Sequence, residues 1–386
     1  MRAMLRAQAE AAERRGSYSR AVHEAFTRAG FYRTLQPRRF GGYEFGLDTF
    51  FRVIVELARG DPGTAWGMCL AAGHAFHVAS FFSERAQAEI FGDGHFCAPH
   101  RAAATGHARP AGNGYVVSGT WDYCSGITHA THFLATAMAP NPDGSARPVP
   151  MVCVIPRGRY TVIDDWGGGA TLGLNASGSN SVTVEDVFVP SHLAEPYTWK
   201  DFVLRPEGTP GYALHGNPLY VGRTVAFYIA ELVAPQVGAA LAALDEYETM
   251  MRTKLTSFPP RVPRTESVDF QRWYGEAMAR AQAAHVLVIG TMERWMRKAH
   301  AWAAGSDDFT VDDDAQLRGV LLQAAELAWR AVDLMFATGG SSAARRGSRL
   351  QRYYRDVSMY RTHIGAQYEV TATSAGRVHL GLPLTF

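Results

Sequence analysis

Fourteen histidines are the side chains here best suited to proton exchange near neutrality, because an unperturbed imidazole titrates near ~6.5. His74/His77 and His129/His132 stand three residues apart, and His363 stands near the C-terminus. A spacing of three could put two imidazoles on one helix face. No carboxylate pattern completes a ligand set around either pair, and HExxH and ExxH are both missing, so no metal is expected. Ser125 lies in Tyr123-Cys124-Ser125-Gly126. Its hydroxyl can donate and accept, or it simply forms a turn before glycine. The Gly167-Gly168-Gly169 run continues Ala-Thr-Leu and fits neither a dinucleotide loop nor a Walker A loop. No GxSxG elbow argues for a serine hydrolase.

The elements that must position these residues fall into three zones. Residues 1–92 read as an N-terminal α-helical domain, with helical spacing at Phe50, Val53, Ile54 and Leu57 and punctuation at Gly60-Asp61-Pro62-Gly63. Residues 93–205 read as a central antiparallel β domain. Its strands are GYVVSGTW, PVPMVCVIP after the turn Pro142-Asp143-Gly144, and NSVTVEDVFVP. Residues 206–386 read as a C-terminal four-helix bundle. Its helices are expected near Phe227–Met251, near Phe270–Ala304, from Thr310 to before Gly339-Gly340, and from Arg355 to about Ala372. Asp312, Asp313 and Asp314 open the third helix, where carboxylates suit the dipole.

A chain of 386 residues with a net charge of +2 lacks the basic footprint of a nucleic-acid binder. No run of 18 apolar residues predicts a membrane span, and the N-terminus carries mixed charge without an apolar signal core. Cys69, Cys97, Cys124 and Cys153 are widely spaced. They read as reduced thiols of a cytoplasmic protein.

Four local sequences, in this order, carry a resemblance. They are GFYRTLQPRRFGGYEFGLDTF (Gly30 to Phe50), TWDYCSGITHATHF (Thr120 to Phe133), SGSNSVTVEDVFVP (Ser177 to Pro190) and LMFATGGSSAARRGSRLQRYYRDVSMYRTH (Leu334 to His363). Over essentially the whole chain, they resemble the acyl-CoA dehydrogenase fold, and within it the flavin-dependent monooxygenases. That group includes the oxygenase components of two-component p-hydroxyphenylacetate and steroid-phenol hydroxylases, and dibenzothiophene monooxygenase. The fold implied is α+β: helical domain, antiparallel β domain, four-helix bundle. Dehydrogenases of this fold often carry a catalytic Glu where this chain has Ile364, and an aliphatic side chain cannot abstract a proton. Some place the base on another helix, so an acyl-CoA dehydrogenase remains the alternative, as do N- or S-oxygenating monooxygenases. A non-catalytic relative is a further alternative.

The resemblance implies reduced flavin (FMN or FAD) supplied by a separate NAD(P)H:flavin reductase, with O2 as co-substrate. A C4a-(hydro)peroxyflavin would then hydroxylate a phenolic or polycyclic aromatic compound. It also implies a homotetramer. His363, His74 and Ser125 become the catalytic candidates. His363 would deprotonate a phenol or stabilise the oxygenated flavin, against a plain helix histidine bonded to a carbonyl. His74 would border the pocket, with His77 as rival. Trp121, Tyr123, Ser125, Arg252, Gly339 and Gly340 become the cofactor-binding candidates. Arg252, a forked and always charged donor, suits a flavin phosphate, often across a subunit boundary. The run Arg345, Arg346, Arg349, Arg352 and Arg355 could assist, although such runs more often form a solvated or interface face. The aromatics Trp66, Phe76, Phe81 and Phe82, with Met68, line a flat pocket or simply fill the core.

Overall fold

The computed structural model describes residues 1–92, 94–141, 147–197 and 202–383; the predicted turn Pro142-Asp143-Gly144 lies outside them. Six helices come first: α1 (Arg2–Arg15), α2 (Arg20–Arg28), α3 (Leu47–Ala58), α4 (Pro62–Gly73), α5 (Ala75–Phe81) and α6 (Glu84–Phe91). The expected punctuation separates α3 from α4. The Asp61 carboxylate caps α4 by accepting from the Thr64 amide at 3.1 Å, and Pro62 occupies the first turn. Every residue of α4 except Leu70 is buried, so this helix runs through the interior.

Seven strands follow: β1 (His100–Ala111), β2 (Gly114–Trp121), β3 (His132–Ala139), β4 (Val149–Pro156), β5 (Thr161–Val162), β6 (Val182–Pro190) and β7 (Ala194–Pro196). They form one sheet in the order β5-β6-β2-β1-β3-β4-β7. The sheet is antiparallel except where β1 pairs with β3 in parallel. The antiparallel reading holds for every pair but this one. After the β1–β2 hairpin the chain returns along β1's far side, so residues 122–131 must cross the sheet end. Ser125 sits in that crossover.

The C-terminal helices are α7 (Pro210–His215), α8 (Val225–Thr253), α9 (Val268–Ala303), α10 (Val311–Gly339), α11 (Arg349–Tyr360) and α12 (Tyr368–His379). Helices α8, α9 and α10 pack on one another; α11 lies against α8 and α10, and α12 against α10. By length and composition α8 could cross a membrane, but 83% of its most apolar stretch is buried in the protein, as the central core helix. Thr310 and Asp313 form a capping box at the start of α10. Asp314 turns inward and caps α8 instead, accepting from the Val225 and Ala226 amides at 3.2 and 2.9 Å. The single helix expected from Arg355 to Ala372 is two helices. The break falls at His363, whose backbone is extended and whose ring accepts the Gly365 amide.

Candidate functional site

Two glycines let α4 lie directly on the β2–β3 crossover and on the segment that leads into β6. A Cβ on Gly126 would stand 2.4 Å from the Gly67 carbonyl oxygen, and one on Gly67 would stand 2.3 Å from that of Ser177. This close approach sets Trp66 over Ser125. The indole N–H donates to Ser125 Oγ at 3.0 Å, and Ser125 Oγ shares a hydrogen bond with Ser179 Oγ at 2.7 Å. Ser179 continues to Ser177 at 2.6 Å. Trp66 and Ser179 occupy two of the three hydrogen-bonding positions of Ser125 Oγ, which leaves one, a lone pair or the hydroxyl hydrogen, for an outside group.

His363 meets the other side of Trp66, edge to face, with ring centroids 5.8 Å apart. The Gly365 amide donates to His363 Nδ1 at 2.9 Å. A neutral ring must therefore carry its proton on Nε2. Burial lowers the His363 pKa to about 4, so the ring is neutral at pH 7. It presents an N–H donor rather than the neutral-pH base its residue type suggested. Trp66, read from sequence only as one of several apolar aromatics, is the residue that joins the two.

His74 is not part of that contact. It lies at the end of α4, eight residues beyond Trp66, roughly 12 Å along the helix at 1.5 Å per residue. Its Nδ1–H donates to the Ala98 carbonyl at 3.0 Å, which leaves Nε2 as an acceptor. Nε2 lies 3.6 Å from Glu231 Oε2, too long for a hydrogen bond. Around this pair gather His77, whose Nδ1 is 2.8 Å from Tyr228 Oη, and His100, whose Nε2 is 2.9 Å from Thr136 Oγ1. Tyr197 packs edge-on to His100. Burial lowers His74 to about 4, His77 to about 3 and His100 well below its usual value, while it raises Glu231 well above the carboxylate range. The three imidazoles are neutral at pH 7, and the Glu231 carboxyl is shifted by burial toward its protonated form. Sequence reasoning missed Glu231 and His100. A lone acid in the apolar run VAFYIAELVAP was the available signal for the first.

The cofactor candidates divide. Trp121 corrects the sequence reading: it is 0% exposed, folds over Gly106, and gives its indole N–H to the Thr136 carbonyl at 2.8 Å. It is a core residue of the sheet. Tyr123, two positions on, is 58% exposed and held in the left-handed region at φ 55°. A non-glycine residue so placed is uncommon and clusters at functional sites. Arg252 is exposed and pairs with Glu248 at 2.7 Å along its own helix. Gly339 and Gly340 lie at the opposite end of α11 from His363, roughly 18 Å away by helix rise. Within one protomer the structure does not bring Arg252, Gly339 and Gly340 to Ser125 and His363. The guanidinium that does reach Gly339 is Arg264, which donates twice to its carbonyl at 3.2 Å and stacks on Phe270.

Beside Gly339, a cavity of about 390 Å³ is lined by Met250, Lys254, Ser342, Ser348 and Arg349, among others. Lys254 donates to Ser342 Oγ at 2.7 Å. Of the arginine run, Arg349 pairs with Glu246, and Arg352 and Arg355 pair with Glu13 and so tie α11 to α1. His129 stacks on His23 and bonds the Tyr18 carbonyl, a structural role. Met68, Phe76 and Phe82 are fully buried in the core, and Phe81 is half-buried.

Residues 230–368 match the family described as acyl-CoA dehydrogenase, C-terminal domain. A pigment production hydroxylase from Rhodococcus sp. is 29% identical over 92% of this chain and 88% of its own. The oxygenase component of the FADH(2)-dependent resorcinol hydroxylase from Rhizobium sp. is 27% identical over 94% of this chain and 88% of its own. The crystal structure of 3-HSA hydroxylase from Rhodococcus sp. RHA1 superposes with a TM-score of 0.87 at 26% identity, covering 99% of this chain and 95% of that one.

Proposed function

We propose that this chain, a flavin-dependent monooxygenase with the acyl-CoA dehydrogenase fold, is the oxygenase component of a two-component system that hydroxylates a phenolic or polycyclic aromatic substrate. His363 carries the reading. Its Nδ1 is committed to the Gly365 amide, so its Nε2–H is the group available to a reactant. A donor held there can stabilise an oxygen atom that gains negative charge, and its neutral ring needs no counter-ion. Many dehydrogenases of this fold carry their base one position further on. The next residue, Ile364, is aliphatic and 81% exposed.

Reduced flavin, when bound, supplies the two electrons and the carbon to which oxygen adds. The residues around Ser125 fit such a ring. Tyr123 offers an exposed aromatic face, and Ser125 Oγ offers one hydrogen-bonding position to a ring nitrogen. Trp66 fixes Ser125 and His363 relative to each other, so that ring and donor are held on one scaffold. Arg252, Gly339 and Gly340 would serve the cofactor of a neighbouring copy, which accords with a homotetramer. The exposed Phe258, Val268 and Val286 support burial of that region between copies. Four buried free thiols support a cytoplasmic setting.

Anaerobic titration tests the assignment. Reduced FMN or FAD should bind more tightly than the oxidised form, and acyl thioesters should leave bound oxidised flavin unreduced. Reduction of the flavin by an acyl thioester would overturn it.

A further inference from the structure

Glu231 is 0% exposed, and neither of its oxygens accepts a hydrogen bond from any described residue. Buried carboxyls in native proteins are almost always hydrogen-bonded, so an unpaired one calls for a ligand or a function. Its surroundings sharpen the question. Oε2 faces His74 Nε2, which is an acceptor because Nδ1–H is committed to the Ala98 carbonyl. Oε1 lies over Gly73, only 2.0 Å from where a Cβ would stand. Two acceptors therefore face one another with at most one carboxyl proton between them. Burial favours the protonated acid, yet the pair still has more lone pairs than protons.

This acceptor pair adjoins the His363 end. Trp66 and Gly73 are seven residues apart on α4, nearly two full turns, and so share a face. Leu232, the residue after Glu231 on α8, touches the His363 loop; its Cδ1 would be 2.5 Å from a Cβ on Gly365. The separation of roughly 10 Å along α4 is the length of a substituted one- or two-ring aromatic.

We infer that Glu231, with His74, determines substrate choice by binding a neutral hydrogen-bond donor, O–H or N–H, at the end of the aromatic substrate remote from His363. The inference rests on the monooxygenase reading and adds the substrate class to it. A carboxylate at that end would bring an unpaired charge into a fully buried site and be rejected. A methyl ether there would leave both acceptors unpaired, which sites built for a donor discriminate against strongly.

The test uses the full-length enzyme loaded anaerobically with reduced flavin. Resorcinol is titrated against its monomethyl ether and meta-hydroxybenzoate. A naphthalenediol is titrated against its own monomethyl ether and the matching hydroxynaphthoate. One of the two diols should bind at least about ten-fold more tightly than its ether and its acid, and Glu231→Gln should shrink that ratio to about two-fold or less. The infrared difference between wild type and E231Q should contain a carboxylic C=O band that shifts with the diol and not with the ether. Equal affinities, an undiminished ratio in E231Q, or no binding of any probe would each overturn the inference, given an enzyme whose bound reduced flavin reacts with oxygen through a transient species. If no such species forms, the monooxygenase reading fails, and the inference fails with it.

Discussion

Two buried polar assemblies lie along α4, and they are built on opposite principles. At the Trp66 end the polar groups pair within the protein: the indole donates to Ser125, Ser125 shares a hydrogen bond with Ser179, and the Gly365 amide donates to His363 Nδ1. At the His74 end, Glu231 has two oxygens without a hydrogen-bonding partner, beside an imidazole acceptor. The first assembly is satisfied by the protein itself, so it holds a fixed geometry with His363 Nε2–H left over as donor. The second is satisfied only when something else arrives. Fixed geometry suits the reacting end of a substrate, and unmet acceptors suit its recognition end.

The comparison breaks most visibly if His363 is removed. His363→Ala should lower hydroxylation about 10²–10⁴-fold while reduced flavin still binds, read as product formed per flavin oxidised. Unchanged product yield would remove His363 from the reacting end. At the other end, Gly73→Ala forces the Glu231 carboxyl to move. It should cost about 1–3 kcal/mol in denaturant unfolding. It should also abolish the donor preference of the diol panel, as E231Q does. A stable G73A protein with intact preference would show that Glu231 does not face the substrate.

Acid should weaken the recognition end in a defined way. His74 and His77, lowered by burial to about 4 and about 3, and His100, lowered as well, stay neutral when folded. Unfolded, each takes up a proton below ~6.5. Their contribution to stability is complete above that pH and is lost as pH falls toward their folded values. Glu231, raised by burial, opposes this, because between its ordinary pKa and its raised folded one it is protonated when folded and ionised when unfolded. Glu231→Gln removes the opposing proton. Between about pH 6 and pH 5 it should lose stability more steeply than wild type, by roughly 1.4 kcal/mol per pH unit. Parallel curves would contradict a protonated Glu231.

Trp66→Phe keeps the ring against His363 and deletes one hydrogen bond. It should cost about 0.5–1.5 kcal/mol and shorten the lifetime of the oxygen-reactive state without changing the diol preference. The smallest effect is expected from Arg252→Ala. An exposed arginine paired with Glu248 on its own helix should leave the melting temperature unchanged. Its proposed role would appear only as weaker flavin binding in the assembled oligomer.

Much of this molecule was legible because long helices repeat their apolar pattern many times. The α8, α9 and α10 boundaries follow the sequence reading within a few residues. The parallel β1–β3 pair was not legible, because a two-residue alternation says which residues face inward and nothing about strand direction. The break at His363 was hidden by spacing that continues from Arg355 to Ala372; it depends on a side-chain cap, not on hydrophobicity. Alternation would put Trp121 and Tyr123 on one face, but β2 ends at Trp121 and Tyr123 turns into the left-handed region, so the first ring folds over Gly106 and the second is exposed. Ser125 and His363 were visible by motif. Their common neighbour Trp66 was not, since an indole in an apolar run looks like core. Glu231 was passed over for the same reason, although an acid buried inside the apolar helix α8 is the feature with most to explain.

The most direct measurement is rapid mixing of the protein, loaded anaerobically with reduced FMN or reduced FAD, with oxygenated buffer and no substrate. The monooxygenase reading predicts a transient absorbance, distinct from reduced and oxidised flavin, that persists before the oxidised spectrum appears. It also predicts that His363→Ala shortens this transient's lifetime. Oxidation at the rate of free flavin, with no transient and no difference between the two proteins, would contradict it.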